Sequence, residues 1–148
     1  ARSRDNSRTP MQWNGERYGG FSEAAPWLSM SARFRKEITV EAQQKDKDSI
    51  LAFYKKLIAM RKTYPVIAEG GISFLETGTD MVLAYQRILG EQQLVVLCNL
   101  DGKRQTIKTS GQWKDFKVLL ENYEGREMVL EEGTFTMEPY GFMVLISK

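Results

Sequence analysis

The part of the sequence after Pro65 limits the fold most narrowly, because short apolar runs alternate there with tight-turn signals. The signals pair glycine with a polar neighbour, as in Asp101-Gly102 and Glu132-Gly133. Glycine adopts positive φ at little cost, and such neighbours tolerate tight turns. Short strands joined by turns, without intervening helices, predict a mainly β fold of about seven or eight antiparallel strands in a sandwich. The candidate strands are residues 72–76, 81–88, 93–100, 105–108, 116–122, 127–130, 134–137 and 142–147.

One of these runs, residues 94–98 (LVVLC), is apolar at every position. Successive side chains of a strand point to opposite faces, so this pattern predicts a central strand that is buried on both faces. Cys98 is then expected to be a small core residue. As the single cysteine it forms no internal disulfide, so nothing points to an oxidising compartment.

Before Pro65, apolar side chains recur at spacings of three and four between residues 48 and 63. This spacing predicts an amphipathic helix that Pro65 ends, with Asp46 or Asp48 as its N-cap. Its broad apolar face requires a partner larger than one small sheet. The residues of that face are Ile50, Leu51, Phe53, Tyr54, Leu57 and Ile58.

Residues 1–46 show neither a helical nor a strand period. So long an irregular stretch is uncommon in a self-contained domain, but it is typical of a functional loop on a larger scaffold. Because residue 1 is alanine and not an initiator methionine, we expect the chain to be part of a longer protein.

Composition excludes several kinds of site. With no histidine, the chain lacks Ser-His-Asp and Cys-His nucleophile arrangements and imidazole zinc ligands, so we expect no metal and no cofactor. Residues 1–64 hold 13 basic and 7 acidic side chains, whereas residues 65–148 hold 8 basic and 12 acidic side chains. The basic residues of the first segment are scattered and not clustered, which disfavours nucleic-acid binding. No apolar stretch reaches the roughly 20 residues of a membrane helix, and no signal peptide is evident. We therefore expect a cytoplasmic protein without a membrane partner.

The opening residues 2–13 (RSRDNSRTPMQW) concentrate arginine with one aspartate and one asparagine. Guanidinium groups form paired hydrogen bonds with carboxylates and hydroxyls, so this cluster fits the recognition of a sugar. A solvated chain terminus is the alternative that composition alone leaves open.

Residues 4–13 closely resemble the signature RDNxRTPMQW, which follows the eighth barrel strand in α-glucosidases of the α-amylase family (glycoside hydrolase family 13). The residues 31–35 depart from the NPNY-like stretch that is usual there. The similarity continues through residues 20–21 (GF), 26–27 (PW), 36–41 (KEITVE), 57–62 (LIAMRK), 94–99 (LVVLCN) and 139–142 (PYGF).

The resemblance implies that residues 1–64 are the last loop and helix of a truncated (β/α)8 barrel and that residues 65–148 are the C-terminal antiparallel β domain. It also implies an oligo-1,6-glucosidase-like, retaining parent enzyme whose partners are the missing barrel and an α-glucoside oligosaccharide. The nucleophile, the acid/base and the stabilising aspartate of the family lie on earlier barrel strands. We therefore assign no catalytic residue to this chain and expect it to be inactive alone.

Four residues of the signature are expected to bind substrate. The resemblance assigns Arg4 to the pocket for the terminal glucose, where it pairs with an aspartate of an early barrel loop. Asp5, Asn6 and Arg8 match the same motif and are expected mainly to hold the loop through Asx-type and charge-assisted bonds. Trp13, Phe21 and Trp27 fit packing against the barrel better than stacking on a sugar.

Other functions stay open at this point. A trehalose-6-phosphate hydrolase, a dextran glucosidase or a sucrose isomerase would carry the same signature. The β domain would alternatively be a carbohydrate-binding or structural module. A binding platform would need exposed aromatic side chains in line, drawn from Tyr85, Trp113, Phe116, Tyr123 and Tyr140.

Overall fold

The computed structural model describes residues 3–30, 38–109, 113, 115–123 and 133–147, leaving out the side chains of Ser3, Arg4 and Asn6. The chain divides into two compact units, Ala1–Met60 and Arg61–Lys148. The domain boundary expected between residues 64 and 65 stays a prediction.

The first unit contains more helix than the sequence indicates. It begins with a 3₁₀ helix at Ser3–Arg8 and a short turn at Arg17–Gly20, followed by α1 (Val40–Lys45) and α2 (Ile50–Thr63), whose last three residues belong to the second unit. α2 covers the predicted helix and ends two residues before Pro65. α1 was not expected, because its six residues have no apolar period; it starts where Thr39 Oγ1 accepts a hydrogen bond from Ala42 N at 3.1 Å.

The predicted N-cap of α2 is wrong. Ser49, and neither Asp46 nor Asp48, precedes the helix, and its Oγ accepts a hydrogen bond from Ala52 N at 3.2 Å. The same hydroxyl donates to Gln43 O at 2.7 Å. Asp46 Oδ1 instead accepts from Asp48 N within the turn before the helix. The sequence offers three suitable caps, and the path of the turn selects the serine.

Replacing the cap tests this assignment. Ser49→Ala should lower the free energy of unfolding of the chain by about 1 kcal/mol, the usual cost of losing a side-chain N-cap. Asp48 is exposed, so Asp48→Ala should change it by less than about 0.5 kcal/mol. Urea titration followed by circular dichroism measures both, and a larger loss for Asp48→Ala would contradict the assignment.

The described residues of the first unit do not form an apolar core. Its buried positions among the described residues are Pro10, Gly19, Thr39 and Ser49, none of which is a large apolar residue. The apolar face of α2 is largely solvent-exposed. Its exposed fractions are 72% for Ile50, 38% for Phe53, 61% for Tyr54 and 54% for Ile58.

The second unit confirms the mainly β, antiparallel fold. Its strands are β1 (Gly71–Phe74), β2 (Val82–Leu89), β3 (Gln92–Asn99), β4 (Gln105–Lys108), β5 (Lys117–Glu121), β6 (Thr134–Met137) and β7 (Phe142–Ile146). They form a five-stranded sheet in the order β1-β2-β3-β7-β5 and a two-stranded sheet of β4 and β6, with every pair antiparallel. The candidate strand 127–130 lies outside the described residues.

β3 is the central strand, as residues 94–98 predict. On one face Val95 and Leu97, both 0% exposed, pack in a core that includes Ile107 of β4 and Met137 of β6. This core joins the two sheets as a sandwich. On the other face, Leu94 packs in a second, smaller apolar cluster.

That second cluster includes Val66, which lies in a short helix, α3 (Val66–Glu69). The sequence did not indicate α3, because four residues are too few to show a period. Arg87 of β2 secures it, since Nε donates to Val66 O at 3.1 Å and Nη2 donates to Gly70 O at 2.7 Å. The guanidinium group thus bonds Gly70 O just past the helix end and adds a second hydrogen bond to Val66 O, which also accepts from Gly70 N at 3.2 Å.

Asn99, at the end of β3, is a polar residue that belongs to the core, with 3% of its surface exposed. Its Nδ2 donates to Lys103 O at 2.8 Å and to Glu138 O at 2.7 Å, while Oδ1 accepts from Asp101 N at 2.9 Å. One amide therefore connects the turn after β3 with the turn before β7.

Truncation of the central strand should be costly. Leu97→Ala should lower the free energy of unfolding by about 2 to 5 kcal/mol, because it opens a cavity between the two sheets. Leu83 of β2 is the matched control: it is 41% exposed, and Leu83→Ala should cost less than about 1 kcal/mol. Urea unfolding followed by tryptophan fluorescence measures the difference, and equal losses would contradict the assigned core.

Candidate functional site

The four predicted site residues lie in the 3₁₀ helix Ser3–Arg8. Asp5 is half-buried and Arg8 is exposed. Residues three apart align along a 3₁₀ helix, so Asp5 and Arg8 share one side of it. The backbones of Arg4 and Asn6 belong to the same two turns, which brings all four residues together along the chain. Their roles in substrate binding stay predictions.

The segment that follows this helix is held by backbone hydrogen bonds. Trp13 N and Asn14 N both donate to Gly19 O, at 2.8 and 3.1 Å. Val40 N donates to Gln12 O and Glu41 N donates to Trp13 O, each at 2.9 Å. The end of the signature is therefore fixed both by the Arg17–Gly20 turn and by the first turn of α1.

The turn itself has an unusual backbone. Tyr18, Gly19 and Gly20 have φ values of 55°, 66° and 67°, so three successive residues are left-handed. Residues with a Cβ rarely adopt this conformation, which makes Tyr18 an outlier. The guanidinium of Arg17 lies 4.7 Å from the centroid of the Tyr18 ring, and Nη2 donates to Tyr18 Oη at 2.7 Å. The sequence motif did not indicate this turn, although the Tyr-Gly-Gly run was a possible signal.

The five aromatic residues considered for a sugar-binding platform do not form one. Trp113 is 4% exposed and lies in the core between the sheets, and Phe116 packs against that core. Tyr123 and Tyr140 are 40% and 67% exposed. Tyr85 is half-buried on β2. Because two of the five are part of the interior, the five do not line up on one exposed face.

Comparison with known protein families identifies the family of this chain. Residues 1–70 match the model of the α-amylase catalytic domain, and residues 82–144 match the model of the α-amylase SusG C-terminal domain. The chain belongs to the α-amylase family.

Relatives in the α-amylase family match nearly the whole chain. An oligo-1,6-glucosidase of Halalkalibacterium halodurans is 33% identical over 100% of this chain and 26% of its own length. Trehalose-6-phosphate hydrolase of Bacillus subtilis is 36% identical over 97% of this chain and 26% of its own. The chain thus spans about a quarter of the length of these relatives.

Solved structures of the α-amylase family have the same fold. The crystal structure of Bacillus licheniformis trehalose-6-phosphate hydrolase superposes with a TM-score of 0.81 at 35% identity, covering 100% of this chain and 27% of that one. A mutant isomaltulose synthase of Erwinia rhapontici gives 0.79 at 29% identity, covering 98% and 26%. That synthase was crystallised in complex with its natural substrate, sucrose.

Among the described residues, three titratable groups have a clearly shifted pKa. Burial raises the pKa of the Cys98 thiol. Burial is also the main cause of the raised pKa of the Tyr85 hydroxyl. The hydrogen bond from Arg104 to Glu138 raises the pKa of the arginine. All three lie in the second unit, away in sequence from the signature. In the part of the chain that the structure describes, no three His, Cys, Asp or Glu residues are grouped to hold a metal ion.

Crossing a bilayer takes a helix of about 20 predominantly apolar residues. Among the described residues, no helix combines the length and apolar character that crossing a membrane requires.

Proposed function

We propose that this chain is part of a retaining α-glucosidase that releases terminal glucose from short α-glucosides such as isomalto-oligosaccharides. The observation that carries the proposal is that the arginine-rich signature lies within the residues that match the α-amylase catalytic domain. Relatives named oligo-1,6-glucosidase support the substrate class, the first at 33% identity over the full chain. A cytoplasmic location is part of the proposal.

The chemistry of the proposed enzyme requires two carboxyl groups about 5 Å apart, one as nucleophile and one as acid/base. We assign neither to this chain, because its carboxylates do not match those of the family. Residues 1–64 would instead supply the last loop and helix of the barrel, and residues 65–148 would form a structural β domain. Loops at the C-terminal face of such a barrel build its active site, so the signature would border the substrate.

In this proposal Arg4 contacts the terminal glucose. A guanidinium group is a rigid planar fork, so it can bond a carboxylate and a sugar hydroxyl at the same time. Asp5, Asn6 and Arg8 would hold the loop that presents it. Asp5 is half-buried and takes part in an interaction within the structure, which agrees with a role in loop order.

A trehalose-6-phosphate hydrolase is the second candidate. The Bacillus subtilis enzyme of that name is 36% identical to this chain, slightly more than the oligo-1,6-glucosidase at 33%. A panel of isomaltose, sucrose, trehalose and trehalose 6-phosphate, given to the full-length protein, separates the candidates. Preferential hydrolysis of isomaltose supports the first proposal, and preference for the phosphorylated sugar supports the second.

The chain alone should not hydrolyse any α-glucoside, because the proposed nucleophile and acid/base are not in it. The measurement is turnover of p-nitrophenyl α-glucoside by the purified 148-residue chain. Turnover that is abolished by mutating a carboxylate within this chain would refute the assignment of the chemistry to other parts of the protein.

In the full-length protein, Arg4→Lys should reduce kcat/KM for terminal-glucose release by about one to two orders of magnitude. The reason is that a hydrogen bond to a charged group in a closed pocket contributes roughly 1.5 to 3 kcal/mol, and lysine does not reproduce the fork. The thermal midpoint should change little. Steady-state kinetics and thermal unfolding measure the two effects.

Arg8→Lys is the matched control within the same helix. It should act mainly through loop order and therefore reduce kcat/KM less than Arg4→Lys. If Arg4→Lys lowers the thermal midpoint while kcat/KM is unchanged, Arg4 holds the loop and does not bind the sugar.

A further inference from the structure

The left-handed turn Tyr18–Gly20 lies directly against the end of the signature. A Cβ atom added to Gly19 would lie 3.3 Å from Gln12 Cα and 3.4 Å from Met11 O, with Met30 Cε at 3.0 Å. Gly19 is buried, and its backbone is left-handed, with φ of 66°. A residue with a Cβ atom at this position would crowd Gln12 Cα, so the backbone at residue 12 would have to shift by a few tenths of an ångström.

The same glycine also bonds the segment that it touches. Its carbonyl oxygen accepts hydrogen bonds from the amides of Trp13 and Asn14. Gly19 therefore fixes residues 11–14 by close contact with two of them and by hydrogen bonds to the other two. The bond from Val40 N to Gln12 O ties the segment to α1 as well, so a shift of Gln12 would strain a second set of contacts.

A short connection joins this fixed segment to the predicted binding residues. Only Thr9 and Pro10 separate Arg8 from Met11. Pro10 is buried, and the ring of a proline holds φ near −65°. A displacement of Met11 would therefore also displace the 3₁₀ helix Ser3–Arg8. The two connecting residues, one of them a proline, allow little compensating change in their backbone angles.

We propose that Gly19 is a positioning residue for sugar binding: its lack of a side chain sets the backbone of residues 11–14 and, through it, the place of the helix that carries Arg4 and Arg8. This inference rests on the proposed function of that helix. Tyr18, the non-glycine residue of the same turn, has a φ of 55°, and such strained residues cluster at binding and catalytic sites. Gly19 does not touch the substrate, and it acts through the chain that it contacts.

The test is Gly19→Ala in the full-length protein, with Gly90→Ala as the matched control. Gly90 has a similar φ of 58°, but a Cβ atom there would meet nothing within 4 Å. Both substitutions place alanine in a left-handed position and should lower the thermal midpoint. Only Gly19→Ala should also raise KM for p-nitrophenyl α-glucoside, by roughly tenfold. The reason is that even a small displacement of the binding groups strongly weakens their interaction with the sugar.

An unchanged KM in Gly19→Ala, with a midpoint lowered as in Gly90→Ala, would overturn the inference. If Gly19→Ala does not fold, Gly19→Asn replaces it, because asparagine adopts the left-handed region more readily and still places a Cβ against Gln12. The same rise in KM is expected from Gly19→Asn, and its absence counts against the proposal in the same way.

A second measurement separates this inference from the proposed function. Gly19→Ala in the 148-residue chain should accelerate hydrogen exchange at the amides of Trp13 and Asn14, whereas Gly90→Ala should not. If the full-length wild-type protein hydrolyses no α-glucoside, the proposed function is wrong. Independently of that result, unchanged hydrogen exchange at these two amides in Gly19→Ala would overturn the positioning role.

Discussion

The second unit depends on β3, which is bonded on both edges and packed on both faces. It pairs with β2 along one edge and with β7 along the other. Its alternate side chains supply Val95 and Leu97 to the core between the sheets and Leu94 to the cluster with α3. At its end, Asn99 joins the turns that lead to β4 and β7. Sheet order, sandwich packing and loop position thus all depend on a single strand.

The first unit is organised by different interactions. Its buried positions among the described residues are a proline, a glycine, a threonine and a serine, and many of its larger apolar side chains are exposed. Backbone hydrogen bonds, two side-chain caps and a left-handed turn hold the segment in place of an apolar core. Trp27 is 85% exposed, and Phe21 and Trp13 are 51% and 49% exposed. This surface agrees with the proposal that these residues pack on a larger barrel.

The sequence predicted the parts of the fold that are encoded locally. Strand positions follow from alternating apolar residues and glycine turns, and β3 follows from residues 94–98. These predictions were confirmed for the candidate strands within the described residues, which leaves 127–130 untested. α1, α3 and the Ser49 cap were missed, because a helix of four to six residues has no period and the choice among neighbouring caps depends on the path of the turn. The contact between Gly19 and Gln12 could not be predicted either, because it depends on the path that the backbone takes between the two residues.

The proposed role of the signature in sugar binding depends on how its arginine side chains are directed. A guanidinium group presents its N–H donors in a rigid planar fork, so the hydrogen bonds that it forms depend on its direction. In the proposed function, sugar binding by the signature would therefore depend on the direction of the arginine forks. Direction is what a rigid backbone provides, and residues 11–14 are fixed by Gly19 and by α1. In the proposed enzyme, this chain would therefore contribute to the geometry of sugar binding, while the catalytic carboxyl groups would come from other parts of the protein.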